Sequence, residues 1–519
     1  MQSSVEILRA HGLRTVFGNP GSNELPFLSQ LPEDFDYVLG LHEGVVVGMA
    51  DGYAQASGRP VLVSLHAASG SGNAMGALTN AHYAHSPLVL LAGQQIRRTV
   101  GQEVMLSNVD ATALTRPLVK HAAEPLCAQD VPRALAQAVL EAGAAPSGPV
   151  YLSVPYDDWD QEALDDDALL ALRTVRTAGA LPEALLQELL ATLDSFASPV
   201  LVLGPDVDAA RAQDAAVTLA ERLGAPVWIA PSPSRCPFPT RHPHFRGVLP
   251  PGITSVRERL EGHDGVLVIG APVMRYHRWE PGAYLPHGTQ VLHLTSDPSE
   301  ATRAPYGRAV VVDVGESLSA LAAAVPDRGV RLSERERPAV ATTDGAMTGQ
   351  EVLQVLDEHV TDTTTYVNET TTLDVDYLER VSIDRPDMYH FPASGGLGFG
   401  LPAAVGIALA RPEATVVATV GDGSANYGLS ALYTAAQRGT RTIFIIVNNG
   451  TYGALRGFAA RLGALDAPGL DVPGIDFVSL ATGYGVPASR TTDRASFEAA
   501  FVAALAAEGP VLIEAVVAP

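Results

Sequence analysis

Thirteen short apolar, β-branched runs recur along the chain, separated by stretches rich in alanine and leucine. This alternation constrains the fold more than any other feature. Strands that alternate with helices pair in parallel sheets, and the helices cover the sheet faces. The runs fall into three blocks. The first holds "DYVLGLHE", "PVLVSLHAASG", "PLVLLAGQQ" and "GPVYLSVPYD". The second holds "PVLVLGPDV", "APVWIAP", "GVLVIGAPV", "QVLHLTSD" and "AVVVDVG". The third holds "TTYVNET", "TVVATVGDG", "RTIFIIVNNG" and "PVLIEAVVAP". Two more polar stretches, "DQEALDDDALLALRTVRTAGA" and "PDRGVRLSERERPAVATTDGA", read as linkers. The expected architecture is α/β, with three doubly wound parallel-sheet domains over residues 1–165, 180–326 and 345–519. A length of 519 residues agrees, since a single core rarely serves so long a chain.

Charge and composition remove several classes of function. A formal net charge of −23 argues against partnership with nucleic acid or an anionic membrane, both of which want basic surfaces. Any anionic ligand must then be met by a local device: a metal, a helix N-terminus or one placed cation. No apolar run approaches the roughly 18–20 residues that span a bilayer. The opening "MQSSVEILRAHG" lacks the apolar centre of a secretory signal. Two cysteines, Cys127 and Cys236, give no disulfide framework and fit a reducing compartment, so a cytoplasmic location is expected. Lys120 is the only lysine and has no glycine-rich phosphate cradle beside it, which disfavours Schiff-base chemistry. There is no G-x-x-x-x-G-K-[ST] motif for a P-loop.

Polar residues cluster where strands end. Glu43, His66, Glu369, Asp422 and Asn449 all sit at or just past the end of an apolar run in the outer blocks. Parallel sheets bind ligands in the crevice beyond the carboxyl ends of their strands. "VVATVGDGSANYG" is the sharpest case: a strand breaks at Gly421-Asp422-Gly423, and a helical pattern follows. The next strand ends at Asn448-Asn449, so both loops emerge at one edge of the sheet. A carboxylate, an amide oxygen and a backbone carbonyl from "NNGTYG" make a hard-oxygen half-cage that suits magnesium on a diphosphate. The glycines let phosphate approach the backbone. Alone, G-D-G is as well explained by a tight turn; the asparagine pair closing the next strand favours the metal.

"GDGSANYGLSALYTAAQRGTRTIFIIVNNGTYG" resembles the signature of thiamine diphosphate enzymes. The resemblance runs over nearly the whole chain. Through "FGNPGSNELPF", "LHEGVVVGMADGYAQASG", "HAASGSGNAMGAL", "RCPFPTRHPHFRG", "GAPVMRYH" and "SGGLGFGLPAA" it narrows to the 2-oxo acid decarboxylases of the benzoylformate decarboxylase family. It implies pyrimidine-binding, middle and diphosphate-binding domains, in that order. It implies thiamine diphosphate held by magnesium, for which calcium can substitute, with Asp422, Asn449 and the carbonyl of Thr451 as ligands. Gly421, Gly423, Ser424, Tyr452 and Gly453 would complete the diphosphate cradle. Glu43, the only acid between Asp36 and Asp51, would activate the aminopyrimidine; an apolar setting would raise its pKa. Gly395 and Leu397 would support that ring, and Thr371 would touch cofactor or substrate.

The same resemblance assigns His66 and His277 as proton carriers and Ser22 to the substrate carboxylate. A histidine titrates near neutrality and suits proton delivery. Each of these histidines taken alone reads as surface or structural, and Ser22 taken alone reads as a helix cap. His42, beside Glu43, reads as structural. Leu106, Phe391, Leu397, Leu455 and Phe458 would wall the substrate's ring. Asp374, Pro392 and Gly457 depart from the family pattern near the pocket mouth and put the substrate range in question. The implied partners are a small 2-oxo acid and a second copy of the chain, with a homodimer as the minimal active unit and a homotetramer as the assembly. Carboligation of the same intermediate is the alternative reaction. A catalytically silent coenzyme-binding protein is the alternative of another class.

Overall fold

Each block of apolar runs folds into its own six-stranded, wholly parallel sheet. The computed structural model describes every residue except 165, 178, 275–277, 344 and 519. The first sheet comprises β1 (Thr15–Gly18), β2 (Asp36–Leu39), β3 (Val61–Leu65), β4 (Leu88–Gln94), β5 (His121–Ala123) and β6 (Val150–Pro155), in the order β2-β1-β3-β4-β6-β5. The second comprises β7 (Pro199–Leu203), β8 (Val227–Ile229), β9 (Phe245–Val248), β10 (Gly265–Ile269), β11 (Gln290–Thr295) and β12 (Arg308–Val311), ordered β12-β11-β10-β7-β8-β9. The third comprises β13 (Thr364–Glu369), β14 (Tyr389–His390), β15 (Thr415–Gly421), β16 (Thr442–Asn448), β17 (Ala488–Thr491) and β18 (Val511–Val516), ordered β14-β13-β15-β16-β18-β17. Every residue of β3, β4, β7 and β10 is buried. Helices on both faces of a parallel sheet have this consequence, and it explains the unbroken apolar runs.

Strand order reverses between β1 and β3 in the first sheet and between β13 and β15 in the third. The loops that leave these strands therefore diverge and open a crevice. In the middle sheet the corresponding loops after β7 and β10 are packed together: a side chain on Gly204 would collide with Gly270 O and Ala271. The outer sheets are left as the ones that can take a ligand at a switch point.

Two helices weld the first and third sheets. Helix α1 (Glu43–Ser57) and helix α3 (Gly400–Ala410) lie in backbone contact; α2 (Ala67–Tyr83) runs between them in sequence. Side chains added at Gly52 or Gly406 would overlap the main chain of Ala403 and Met49 respectively. Val46, Met49 and Ala50 share one core with Leu401, Val405 and Ile407. Each such side chain, fully buried, contributes about 1.5–3 kcal/mol before entropic costs. Middle and third sheets share a second core that includes Leu201, Val227, Tyr366 and Val417. Arg235 of the middle region ties all three units: its guanidinium bonds Asp208 (3.1 Å), Asp387 (2.6 Å) and the carbonyl of Gln55 (2.7 Å).

The two stretches read as linkers carry little regular structure. Described residues 173–182 and 326–347 contain no helix or strand. The second is strapped down by arginines; Arg328, for example, donates to the carbonyls of Leu193 (2.6 Å) and Phe196 (2.7 Å). Among the described residues no helix is long and apolar enough to cross a membrane. Lys120 ends in a structural role, its ammonium donating to the carbonyls of Glu141 (2.6 Å) and Ala144 (2.7 Å) at a helix end.

Candidate active site

Glu43 is the first residue of α1, immediately past the turn that follows β2. The helix starts there because His42 is extended and its Nδ1 accepts from Gly44 N at 3.1 Å, a side-chain cap that gives His42 its structural task. Glu43 is only 6% exposed. Its two oxygens accept from the amides of Asn19 (3.3 Å) and Asn73 (3.0 Å), one in the loop after β1 and one on α2. Gly70 packs on it; a side chain there would lie 3.1 Å from Oε1. The carboxyl group is thus held by neutral amides, with no cation bonded to it among the described residues.

His66 follows β3 directly and stands at the head of α2. Its Nδ1 lies 2.9 Å from Glu24 Oε2. A carboxylate only accepts, so Nδ1 carries the proton and Nε2 is left as the working nitrogen. Glu24, only 3% exposed, is itself fixed by the backbone N–H groups of Gly21 (3.0 Å), Gly93 (3.0 Å) and Ala67 (3.3 Å). Gly21 must be glycine, because a side chain would overlap the His66 ring. Ser22, in the same turn, is exposed and donates to Asn23 Oδ1 at 3.3 Å. The short helix Leu25–Leu28 that follows has Glu24, not Ser22, at its cap position.

The second cluster lies at the third sheet's edge. Asp422 begins a short helical turn after β15, is buried, and accepts from Gly450 N at 2.9 Å. Burial raises its pKa, and hydrogen bonds from Gly423 and Gly450 oppose the shift. Asn449 follows β16 and accepts from Thr451 N at 3.1 Å, whereas Asn448 donates to Glu514 at 2.8 Å and accepts from Gly450 N at 3.0 Å. The pair thus divides its work: Asn448 anchors the strand end and Asn449 faces the loop. Gly450 has φ +70°, a left-handed turn, and it is this residue's N–H that bonds Asp422. A side chain on Gly423 would overlap the Tyr452 ring, and one on Gly453 would lie 2.9 Å from Thr372 Oγ1. Ser424 is buried one turn on, and Gly421 closes the strand. A buried carboxylate with no cation among the described residues, beside an amide oxygen and a loop carbonyl, fits a divalent metal; hard-oxygen donors are what magnesium and calcium select.

Three family profiles match in order along the chain: "Thiamine pyrophosphate enzyme, N-terminal TPP binding domain" over residues 1–114, the "central domain" over 186–321 and the "C-terminal TPP binding domain" over 369–515. The chain belongs to the thiamine pyrophosphate enzymes. It is 56% identical to the benzoylformate decarboxylase of Pseudomonas aeruginosa over 514 residues, 99% of this chain and 97% of that one. Its structure superposes on the Rhodococcus jostii RHA1 thiamine diphosphate-dependent 4-hydroxybenzoylformate decarboxylase with a TM-score of 0.98 at 55% identity, covering 100% and 98% of the two chains. Against benzoylformate decarboxylase from Polynucleobacter necessarius the TM-score is 0.96 at 35% identity, with coverage of 100% and 98%.

The other residues anticipated from the sequence lie on several separate loops and helices. Gly395 has φ +74° with open space where a side chain would be, and Leu397 is half-buried in the same loop. That loop is gripped from the first domain by Asn80, which donates to Gly396 O (2.8 Å) and accepts from Ser394 N (3.1 Å). Thr371 is exposed just beyond β13. Phe391 is a buried core residue whose N–H bonds Ser234 O at 2.9 Å. Leu106 is half-buried with φ +69°. Leu455 (51% exposed) and Phe458 (39%) share one face of helix α4 (Gly453–Leu462), where Arg461 lies over the Phe458 ring. Gly457, on the same helix, has open space around it. His277 lies outside the described residues.

Sequence reasoning missed Glu24, Asn73 and Asn80. Glu24 and Asn80 are buried and Asn73 is exposed, and each is polar and bonds a neighbour. Only Glu24, an acid inside the quoted "NPGSNELPF", left a trace that could have been read.

Proposed function

We propose that this enzyme decarboxylates an aromatic 2-oxo acid without oxidation, releasing an aldehyde of the benzaldehyde type and carbon dioxide. The observation that carries the reading is identity above 50%, over nearly the whole chain, with decarboxylases of benzoylformate and 4-hydroxybenzoylformate. The coenzyme, when bound, supplies the electron sink that loss of carbon dioxide demands. Asp422, Asn449 and the Thr451 carbonyl would hold magnesium, or calcium in its place, on the diphosphate, with Gly421, Gly423, Ser424, Tyr452 and Gly453 around it. Glu43 would keep its proton shared with the aminopyrimidine, the two asparagine amides fixing its plane. Gly395, Leu397 and Thr371 would complete the cradle.

On the substrate side, Ser22 would donate to the carboxylate. His66 would deliver or remove a proton through Nε2, held in line by Glu24, and His277 would be the second carrier. Leu106, Phe391, Leu397, Leu455 and Phe458 would exclude water from the ring, and a dry pocket favours a step that discharges a carboxylate. The three units are taken as 1–165, 180–326 and 345–519, and the setting as cytoplasmic.

The site would form between two chains. Among the described residues no hydrogen bond or ion pair joins the Glu43 group to the Asp422 group. Leu25 and Met105 beside the first are exposed, as are Tyr427, Leu455 and Phe458 beside the second. A second copy would cover both sets, giving a dimer and, by pairing of dimers, a tetramer.

A substrate panel tests the reading. Purified protein with thiamine diphosphate and magnesium is given benzoylformate, 4-hydroxybenzoylformate and aliphatic 2-oxo acids separately, and products are identified. Aromatic acids should yield aldehyde fastest. An aliphatic acid turning over faster would overturn the aryl assignment, and hydroxyketone as the main product would favour carboligation.

A further inference from the structure

Away from both clusters, a cleft of about 350 Å³ lies between the outer edge of the middle sheet and the helix Asp374–Arg380. That volume lies at the low end of the roughly 300–1,000 Å³ range of small-molecule sites. Trp228, Val248, Pro250, Pro251 and Val375 give it apolar walls.

Its polar side is basic. Arg246, Arg259 and Arg335 face the cleft against one acid, Glu379. Such a local excess stands out in a chain of net charge −23. Arg335 is matched to Glu379 through both nitrogens (3.3 and 3.2 Å). Arg246 bonds only backbone carbonyls among the described residues, those of Pro243, Phe245 and Ser333. Arg259 has no carboxylate partner among them and stacks over Trp228 at 5.6 Å. Burial and the neighbouring Arg335 charge lower the pKa of Arg246. Two guanidinium groups are thus left for an anion from outside.

The backbone is shaped to this end. Val227 pairs with Phe245 and Trp228 with Gly247, so Arg246 is the extra residue of a β-bulge on edge strand β9. A bulge re-aims the side chain it carries. Gly247 has φ +117°, and any side chain there would come within 2.8 Å of Arg335 and Glu379.

We propose that this cleft is a second binding site, for a small carboxylate whose body is apolar. Guanidinium groups take the carboxylate and the Trp228, Val248 and proline walls take the body. The site is separate from the catalytic reading and does not depend on it.

Calorimetric titration of the holoenzyme with benzoate tests this, with thermal midpoints confirming that each variant folds. Wild type should bind two benzoates per chain. Arg246→Ala and Arg259→Ala should each weaken one of them about tenfold or more while leaving kcat for benzoylformate within about twofold. Val375→Phe, which fills the cleft and keeps its charges, should remove the same event. One benzoate per chain, unchanged by all three substitutions, would overturn the proposal. So would inorganic phosphate displacing that benzoate at equal or lower concentration, since the site would then select dense charge and not an apolar acid.

Discussion

At the scale of single residues, the environment decides what each side chain can do. Glu24 and Glu43 are both buried carboxylates of the first domain, yet their partners separate them. Glu24 is saturated by three backbone donors and a histidine, and so acts as a positioning residue. Glu43 meets only the side-chain amides of Asn19 and Asn73. Replacing Glu24 with Gln should lower kcat about 10–100-fold, the usual cost of losing a group that orients a working one, with KM little changed. Steady-state kinetics on benzoylformate would show this, and an equal loss in Glu24→Ala and Glu24→Gln would tie it to the carboxylate. A drop confined to KM would instead place Glu24 in substrate binding.

At the scale of elements, three glycines and one glutamate hold the crevice together. Gly406 lets α3 lie on the main chain of α1, and Gly406→Val should cost about 3 kcal/mol or more by overpacking, read as a fall in the denaturation midpoint. Glu369, the last residue of β13, accepts from Gly398 N (2.5 Å) and Gly400 N (2.6 Å) and so fixes the start of α3. Burial pushes its pKa up from 4.5 to about 7 despite these donors. The folded state therefore favours the protonated form. Its contribution is complete below about pH 4.5 and is lost as pH rises through about 7, on the order of 3 kcal/mol in all. Glu369→Gln, always neutral, should flatten that part of the stability profile in urea titrations at about pH 5 and pH 8. Thirteen strands were legible as apolar runs, and five were not: β1, β5, β9, β14 and β17. Four of those are sheet edges of two to four residues, where one flank needs no partner and the apolar signal is weakest. His42 was read as structural from its neighbour alone; that it caps α1 needed the helix start to be seen.

At the scale of the whole molecule, the two clusters belong to different sheets, and helices α1 and α3 lie between those sheets in one chain. A site shared between copies makes a definite prediction. Mixing Glu43→Ala with Asp422→Ala protein under conditions of subunit exchange should restore about one quarter of wild-type activity, because half the dimers become mixed and each holds one intact site. A site within one chain would restore none. The Arg235 junction bears on the same question. Asp208, pushed up to about 6 by burial, Asp387 and the Gln55 carbonyl meet there, so one guanidinium ties the three units within a single chain.

The sequence by itself determined the class of fold and the chemistry of the cofactor. Both rest on local patterns: strand–helix alternation, an acid between glycines, an asparagine pair at a strand end. Only the tertiary structure decided which polar residues serve the named ones, because Glu24, Asn73 and Asn80 bond neighbours up to hundreds of positions away. It also decided where arginines on an edge bulge meet a helix of another domain. Hydrogen bonds and cavities depend on distances in space, and a chain's order carries those only where contacts are local.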